Sequence, residues 1–212
     1  MKVAIIGSGN VGKALAGAAT KAGHSVKLTA NDPAHAEEAA RTTRAQSAKS
    51  NSDAVKDAEL VILAVPANKL DEVVGALAPE LDGKVIIDVT NRFNPQDPAS
   101  SLDGSSTAER IQSKAPRAHV VKAFNYAFAS KMADPQVDGT KLDAYVAGDD
   151  EAAKQKTLEF ARSIGFRPLD VGPLSMARAL EGMGLLNIVL QIKHKWPWQS
   201  GWKLTGPTGD QN

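Results

Sequence analysis

A glycine-rich turn near the start of the chain constrains its fold more than any other feature. An apolar run at residues 2–6 leads into Gly7, Gly9 and Gly12, spaced as G-x-G-x-x-G, and a helical pattern follows. In a strand–turn–helix, these glycines permit the tight turn, the approach of a pyrophosphate and close packing of helix on strand. The helix N-terminus also offers free N–H groups to an anion. The sequence therefore predicts a dinucleotide-binding βαβ unit rather than a glycine turn without a ligand.

Alternation of β-branched runs with Ala-rich, charged segments continues along the chain and is typical of a parallel α/β sheet. Strands are predicted at residues 2–7, 25–30, 45–48, 59–65, 84–89, 119–124, 144–148 and 167–171. Helices are predicted at residues 11–22, 34–44, 52–56, 68–78, 107–115, 150–163 and 175–193. We expect a Rossmann-type, doubly wound, mostly parallel α/β sheet with a short C-terminal helical extension.

The C-terminal part differs in character from the rest. We expect a dinucleotide-binding domain over residues 1–172, followed at 173–212 by a helix and tail that close the pocket or contact another subunit. The helix is apolar on more than one face, and all three tryptophans lie within residues 196–202. Such a cluster favours docking on a cofactor, a partner subunit or the parent domain. The unpatterned stretch 91–106 is predicted to be a loop through which substrate enters.

Candidate binding residues follow from the rule that ligands bind at the carboxyl ends of the strands. For the cofactor they are Gly7, Ser8, Gly9, Asn10, Val11, Gly12, Thr29, Asn31, Asp32, Ala64, Val65, Pro66, Thr90 and Asn91. Lys122 and Asn125 end the sixth strand and are the candidates for the reactive end of the cleft.

The end of the second strand bears on the choice between NAD and NADP. Asp32 follows the third glycine by twenty residues, where an acidic side chain accepts hydrogen bonds from a ribose 2′-hydroxyl and favours NAD. Thr29 and Asn31 are possible donors to a 2′-phosphate, and Arg41 or Arg44 could reach back to it, which favours NADP. Alternatively, Asp32 simply caps the following helix. The residues alone leave these alternatives open.

Composition excludes several other classes of function. The 25 basic and 24 acidic side chains leave a formal charge of +1, so a nucleic acid partner is not expected. The absence of cysteine excludes disulfides, thiolate metal sites and a Cys nucleophile, and redox chemistry would need an organic cofactor. No metal site is predicted. The four histidines, His24, His35, His119 and His194, are expected to be structural or solvated.

Neither a signal peptide nor an apolar run of ~18 residues is visible in the sequence. We therefore expect a cytoplasmic protein that makes no membrane contact.

Several motifs together resemble a known family. They are the strand–turn–helix at 2–12, Ala-Val-Pro at 64–66, Asp-Val-Thr-Asn at 88–91, Lys-Ala-Phe-Asn at 122–125 and Arg-Pro-Leu-Asp-Val-Gly-Pro at 167–173. Over residues 1–193 the chain resembles the NADP-dependent oxidoreductases of the deazaflavin coenzyme F420. It is also similar to the cytosolic dinucleotide domain of mammalian membrane ferrireductases.

The resemblance implies a homodimeric Rossmann enzyme that binds NADP(H) along residues 7–12 and completes a deazaflavin pocket with its C-terminal helical segment. It further implies direct hydride transfer between nicotinamide C4 and deazaflavin C5, in which orientation replaces a catalytic side chain. The chain departs from the family where Ala30, Asn31 and Asp32 replace a typical Ser-Arg. Its Trp-rich tail also looks unlike that of the archaeal enzymes.

Two other functions fit the same residues. The first is an NAD(P)H-dependent reductase of a flavin, a quinone or a small carbonyl or imine compound. Such an enzyme would be expected to use a proton donor, for which Lys122 and Asn125 are the candidates. The second is a non-enzymatic nucleotide-binding interaction protein in which residues 196–202 bind a partner.

Overall fold

The computed structural model describes residues 1–206 and 208. Its strands are β1 Lys2–Ile6, β2 Ser25–Thr29, β3 Gln46–Ser47, β4 Leu60–Leu63, β5 Val85–Asp88, β6 His119–Lys122, β7 Gln136–Val137, β8 Thr140–Lys141, β9 Asp143–Gly148 and β10 Arg167–Asp170. Its α-helices are α1 Asn10–Lys21, α2 Pro33–Thr43, α3 Asn51–Val55, α4 Leu70–Leu77, α5 Thr107–Lys114, α6 Ala129–Ala133, α7 Glu151–Ser163 and α8 Ala177–His194.

One sheet carries the fold, with the strand order β10-β9-β6-β5-β4-β1-β2-β3. The stretch from β3 to β6 is parallel throughout and has the 3-2-1-4-5-6 order of a Rossmann sheet. Strand β9 joins β6 in antiparallel fashion, and β10 runs parallel to β9. The predicted mostly parallel α/β sheet is therefore confirmed. The small hairpin β7–β8 and the short helix α6 were not predicted.

Helices cover both faces of the sheet. In β4 every residue is buried, with Leu60 and Ile62 in one apolar cluster and Val61 and Leu63 in the other. Helices α1 and α7 pack on the first face, whereas α4 and α5 pack on the second. Burial on both faces explains why these strands read as continuous apolar runs.

Local signals set where several helices begin. Asp32 caps α2 by accepting from the backbone N–H of Ala34 at 2.9 Å. Ser106 and Glu109 form a reciprocal capping box at the start of α5. The predicted loop at 91–106 contains a 3-10 turn at Pro98–Leu102, so part of it is regular.

The chain after α8 returns to the start of β9, and we call residues 195–204 the C-terminal strap. Gly201 of the strap lies so close to Leu142 that a Cβ atom there would overlap its side chain. The backbone N–H of Asp143 donates to the carbonyl of Trp202 at 3.1 Å, and Trp202 packs against the core. Across residues 1–206 and 208, no helix is long and apolar enough to cross a membrane.

Candidate functional site

The carboxyl ends of the parallel strands form a cleft made of two adjoining cavities. The first, of about 460 Å³, lies at the glycine turn and the end of β2. The second, of about 310 Å³, lies at the ends of β4, β5 and β6. Both are lined by Val11, Ala64, Val65 and Pro66, so they form one continuous track. A cleft at this edge is where doubly wound sheets bind their ligands.

The glycine turn is built as an anion cradle. Gly7 has φ +113°, and a Cβ there would overlap the carbonyl of Ala64, whereas a Cβ at Gly12 would overlap the carbonyl of Gly7. Gly9 is different, because a Cβ there meets nothing within 4 Å. Its backbone therefore faces open space beside the start of α1, where no side chain caps the helix. The free N–H groups and the open cradle fit a pyrophosphate.

At the end of β2, the predicted residues lie together but make different contacts. Thr29 is buried, and its hydroxyl donates to Asn51 Oδ1 at 2.8 Å. Asn31 is exposed to the first cavity. Asp32 both caps α2 and lines the cavity, with Oδ2 3.6 Å from His35 Nδ1. Among the described residues that line this cavity, none is Lys or Arg.

The ends of β5 and β6 bring Thr90, Asn91 and Asn125 together at the second cavity, as the strand-end rule predicts. The Asn91 amide donates to the carbonyl of Asn125. In return, the Asn125 amide donates to Asn91 Oδ1 at 2.9 Å and to the carbonyl of Leu180 in α8 at 2.8 Å. Phe124 precedes this pair with φ +64°, in a conformation that turns the chain at the edge of the sheet.

Lys122 does not face the cleft, which corrects its candidacy as a proton donor to substrate. Its side chain is fully buried and lines neither cavity. The ammonium donates to Asp88 Oδ2 at 2.8 Å, the Thr90 carbonyl at 2.6 Å, Thr107 Oγ1 at 2.7 Å and Glu181 Oε1 at 3.0 Å. Each N–H of the ammonium already has a buried acceptor. Lys122 therefore holds the ends of β5 and β6 together and does not donate a proton to a substrate.

Three further residues of the second cavity were not among the candidates predicted from the sequence. Gly184 brings α8 close, because a Cβ there would lie only 3.0 Å from Asn91 Oδ1. Phe128 and Trp198 line the cavity and pack edge to face, with ring centroids 5.1 Å apart. The tryptophan cluster signalled Trp198 in general terms, whereas nothing in the sequence distinguished Phe128 or Gly184.

The histidines lie mostly outside this cleft. His24 contacts Ser163 Oγ at 2.7 Å, and burial lowers the pKa of its ring. His119 pairs with Asp150, and within the described chain only His35 lines either cavity. In the same residues, no group of three His, Asp or Glu side chains is placed to hold a metal ion.

Comparison with known proteins gives a consistent result. The family model described as NADP oxidoreductase coenzyme F420-dependent matches residues 2–92. The F420-dependent NADP reductase of Methanothermobacter marburgensis is 31% identical over 220 residues, covering 92% of this chain and 94% of the reductase. A solved structure from Arthrobacter sp. FB24, assigned by inference as an F420-dependent NADP reductase, matches this chain with a TM-score of 0.85 and 27% identity. That match covers 97% of this chain and all of the other.

The metalloreductase STEAP3 of Rattus norvegicus is 32% identical over 184 residues, covering 87% of this chain but 36% of the metalloreductase. The chain therefore spans about a third of that relative's length. The archaeal reductase matches nearly end to end, and the family model includes the glycine turn. The chain belongs to the family of coenzyme F420-dependent NADP oxidoreductases.

Proposed function

We propose that this protein transfers hydride between NADP(H) and a deazaflavin of the coenzyme F420 type. The continuity of the two cavities carries the proposal, because the track runs from the open Gly9 cradle to the Asn91–Asn125 pair without leaving the cleft. The cradle holds the pyrophosphate, and the second cavity receives the nicotinamide together with the acceptor ring. Relatives named as F420-dependent NADP reductases support this choice of partners.

The lining of the second cavity suits hydride transfer that needs no acid or base. When bound, the dinucleotide supplies a hydride from nicotinamide C4, so that the C–H bond broken there is replaced by one at an acceptor ring carbon. Most of the described lining is apolar, and its polar side chains are Thr90, Asn91, Asn125 and Tyr126. Burial raises the pKa of Tyr126, whose hydroxyl accepts from the backbone N–H of Tyr145. The chain therefore contributes orientation and exclusion of water.

The same lining disfavours a carbonyl or imine as the acceptor. Reduction of a carbonyl requires a proton at the oxygen as the hydride arrives at carbon. Lys122 is fully buried and lines neither cavity, and the Thr90 hydroxyl already donates to Asp88 Oδ1 at 2.8 Å, so neither group supplies this proton. A flavin or deazaflavin ring is a better acceptor for this site, because the negative charge that arrives with the hydride is delocalised over the ring, and no proton donor is needed during the transfer.

Two features bear on the choice of dinucleotide. The names of the relatives favour NADP(H). The carboxylate of Asp32 in the first cavity favours a ribose 2′-hydroxyl, and NAD(H) is therefore the alternative.

We also propose that the protein is a cytoplasmic homodimer. The exposed apolar side chains of α8 support a subunit contact, since Leu186 is 50% and Ile192 is 53% exposed.

Anaerobic mixing of the purified protein with NADPH and oxidised coenzyme F420 tests the activity. We expect loss of the deazaflavin's visible absorbance at a rate proportional to enzyme concentration. With NADPH deuterated at nicotinamide C4, deuterium should appear at deazaflavin C5, which establishes direct transfer. Parallel reactions contain NADH, riboflavin or a cyclic imine. Two results would overturn the proposal. One is turnover with the imine alone, and the other is the absence of turnover with every acceptor under both nicotinamides.

A further inference from the structure

The three tryptophans of the C-terminal strap have three different environments. Trp202 packs against the core, and Trp196 stacks on His194 with ring centroids 4.8 Å apart and an interplanar angle of 20°. Trp198 lines the second cavity and is still 44% exposed. A large aromatic side chain at the mouth of a cleft, neither buried nor remote from it, calls for a physical reason.

The backbone of Trp198 is held firmly in place. Its N–H donates to Gln191 Oε1 at 2.9 Å, and its carbonyl accepts from Ser130 Oγ at 2.9 Å. Gln191 is itself buried and donates to Ser200 Oγ at 2.9 Å. These bonds fix the strap to α8 on one side and to α6 on the other.

The conformation held by these bonds is an unfavourable one. Trp198 has φ +58°, in the left-handed region that bulky residues rarely adopt. Strain of this kind persists only where surrounding contacts enforce it, and it concentrates at ligand sites. Phe128 fixes the ring further, meeting it edge to face at an interplanar angle of 75°. The indole is thus positioned in advance, and part of its surface remains open.

We propose that Trp198 is the stacking platform for the flat heteroaromatic ring of the hydride acceptor, a flavin or deazaflavin. The acceptor ring then lies between the indole and the nicotinamide in the second cavity. This inference rests on the proposed function, since it assumes an acceptor in that cavity. Aromatic faces attract flat heteroaromatic rings, and a platform held before binding avoids the cost of ordering a side chain.

The chain supplies a matched control for this proposal. Trp196 is two residues away, 46% exposed and outside both cavities. Replacing Trp196 therefore removes a similar area of exposed indole without touching the cleft.

The test is isothermal titration of riboflavin and of oxidised coenzyme F420 into the NADP⁺-saturated protein and its W198A, W198F and W196A variants. We expect W198A to weaken the binding of both rings roughly ten-fold. W198F should keep most of the affinity, W196A should match the wild type, and the affinity for NADP⁺ should be unchanged in all three variants.

Three results would overturn the role of Trp198: equal ring affinity in W198A and W196A, a parallel loss of NADP⁺ affinity in W198A, or a change of oligomeric state in W198A on a sizing column. The second result would mean that Trp198 only closes the pocket, and the third that it contacts another subunit. Failure of the wild type to bind either ring while binding NADP⁺ would instead overturn the proposed function, and this inference with it.

Discussion

Lys122 at the end of β6 donates to Asp88 at the end of β5 across 2.8 Å, and both side chains are completely buried. Glu181 of α8 accepts from the same ammonium at 3.0 Å. The Lys122 ammonium therefore links the ends of β5 and β6 to α8. Removing one member of a buried ion pair leaves an uncompensated charge in a low-dielectric interior.

Substitution Lys122→Met should destabilise the protein by about 3–5 kcal/mol, because Asp88 and Glu181 would lose their buried counter-charge. Urea unfolding followed by circular dichroism measures this free energy. Lys69→Met is the matched control, since Lys69 pairs with Glu72 at 3.0 Å on the surface. It should cost less than ~1 kcal/mol. Equal costs for both substitutions would contradict a structural role for Lys122.

Gly9→Ala should abolish tight dinucleotide binding while leaving the unfolding midpoint close to that of the wild type. The added Cβ meets no protein atom within 4 Å, so it occupies only the space assigned to the pyrophosphate. Gly12→Ala should instead lower thermal stability, because its Cβ would overlap the carbonyl of Gly7. Thermal unfolding and NADPH fluorescence titration separate the two outcomes. Normal NADPH affinity in a folded Gly9→Ala variant would refute the cradle.

Asp32→Asn should raise the ratio of NADPH to NADH efficiency, measured as kcat/KM, by roughly ten-fold. The amide can still cap Ala34 through its oxygen, but it no longer repels a 2′-phosphate. Glu37→Gln is the control, because Glu37 lies on the same helix and lines a neighbouring groove instead of the first cavity. An equal change in both efficiencies would show that the carboxylate does not contact the ribose.

Features that depend on residues close together in the chain could be predicted from the sequence, whereas most features that depend on distant contacts could not. Gly7 and Gly12 are constrained by neighbouring backbone, whereas Gly9 faces open space, so the glycine pattern of residues 7–12 was sufficient to predict the βαβ unit. The meeting of Asn91 and Asn125 followed from the rule for parallel strand ends. The burial of Lys122 was not predictable, since its carboxylate partners lie 34 and 59 positions away. The position of Trp198 depends on a left-handed turn without glycine, which leaves no sequence signal.

Glu109→Gln should flatten the acid dependence of stability. Its ion pair with Arg178 at 2.7 Å, together with bonds from Ser106, lowers the pKa of Glu109 from an ordinary 4.5 to about 2. A depressed carboxyl pKa stabilises the fold above pH 4.5, and this contribution is lost as the pH falls from 4.5 toward 2. The slope of stability against pH is obtained from the free energies of unfolding at pH 6 and pH 3, and it should be smaller in Glu109→Gln than in the wild type. Arg178→Gln should reduce it as well, and an unchanged slope in both variants would contradict the assignment.

The two glycines in the middle of α8 should respond oppositely to alanine. Gly182→Ala adds a Cβ 3.9 Å from Leu102, an ordinary contact, so the better helix former should stabilise the protein by up to about 1 kcal/mol without changing turnover. Gly184→Ala gains the same helix propensity, but its Cβ would lie 3.0 Å from Asn91 Oδ1 and 3.2 Å from the Asn125 carbonyl. Displacing this pair by a fraction of an ångström should lower kcat roughly ten-fold, since transfer depends on ring alignment. Steady-state kinetics and thermal unfolding of both variants measure the contrast. If Gly184→Ala kept full kcat, the close approach of α8 to the strand ends would have no part in aligning the reacting rings.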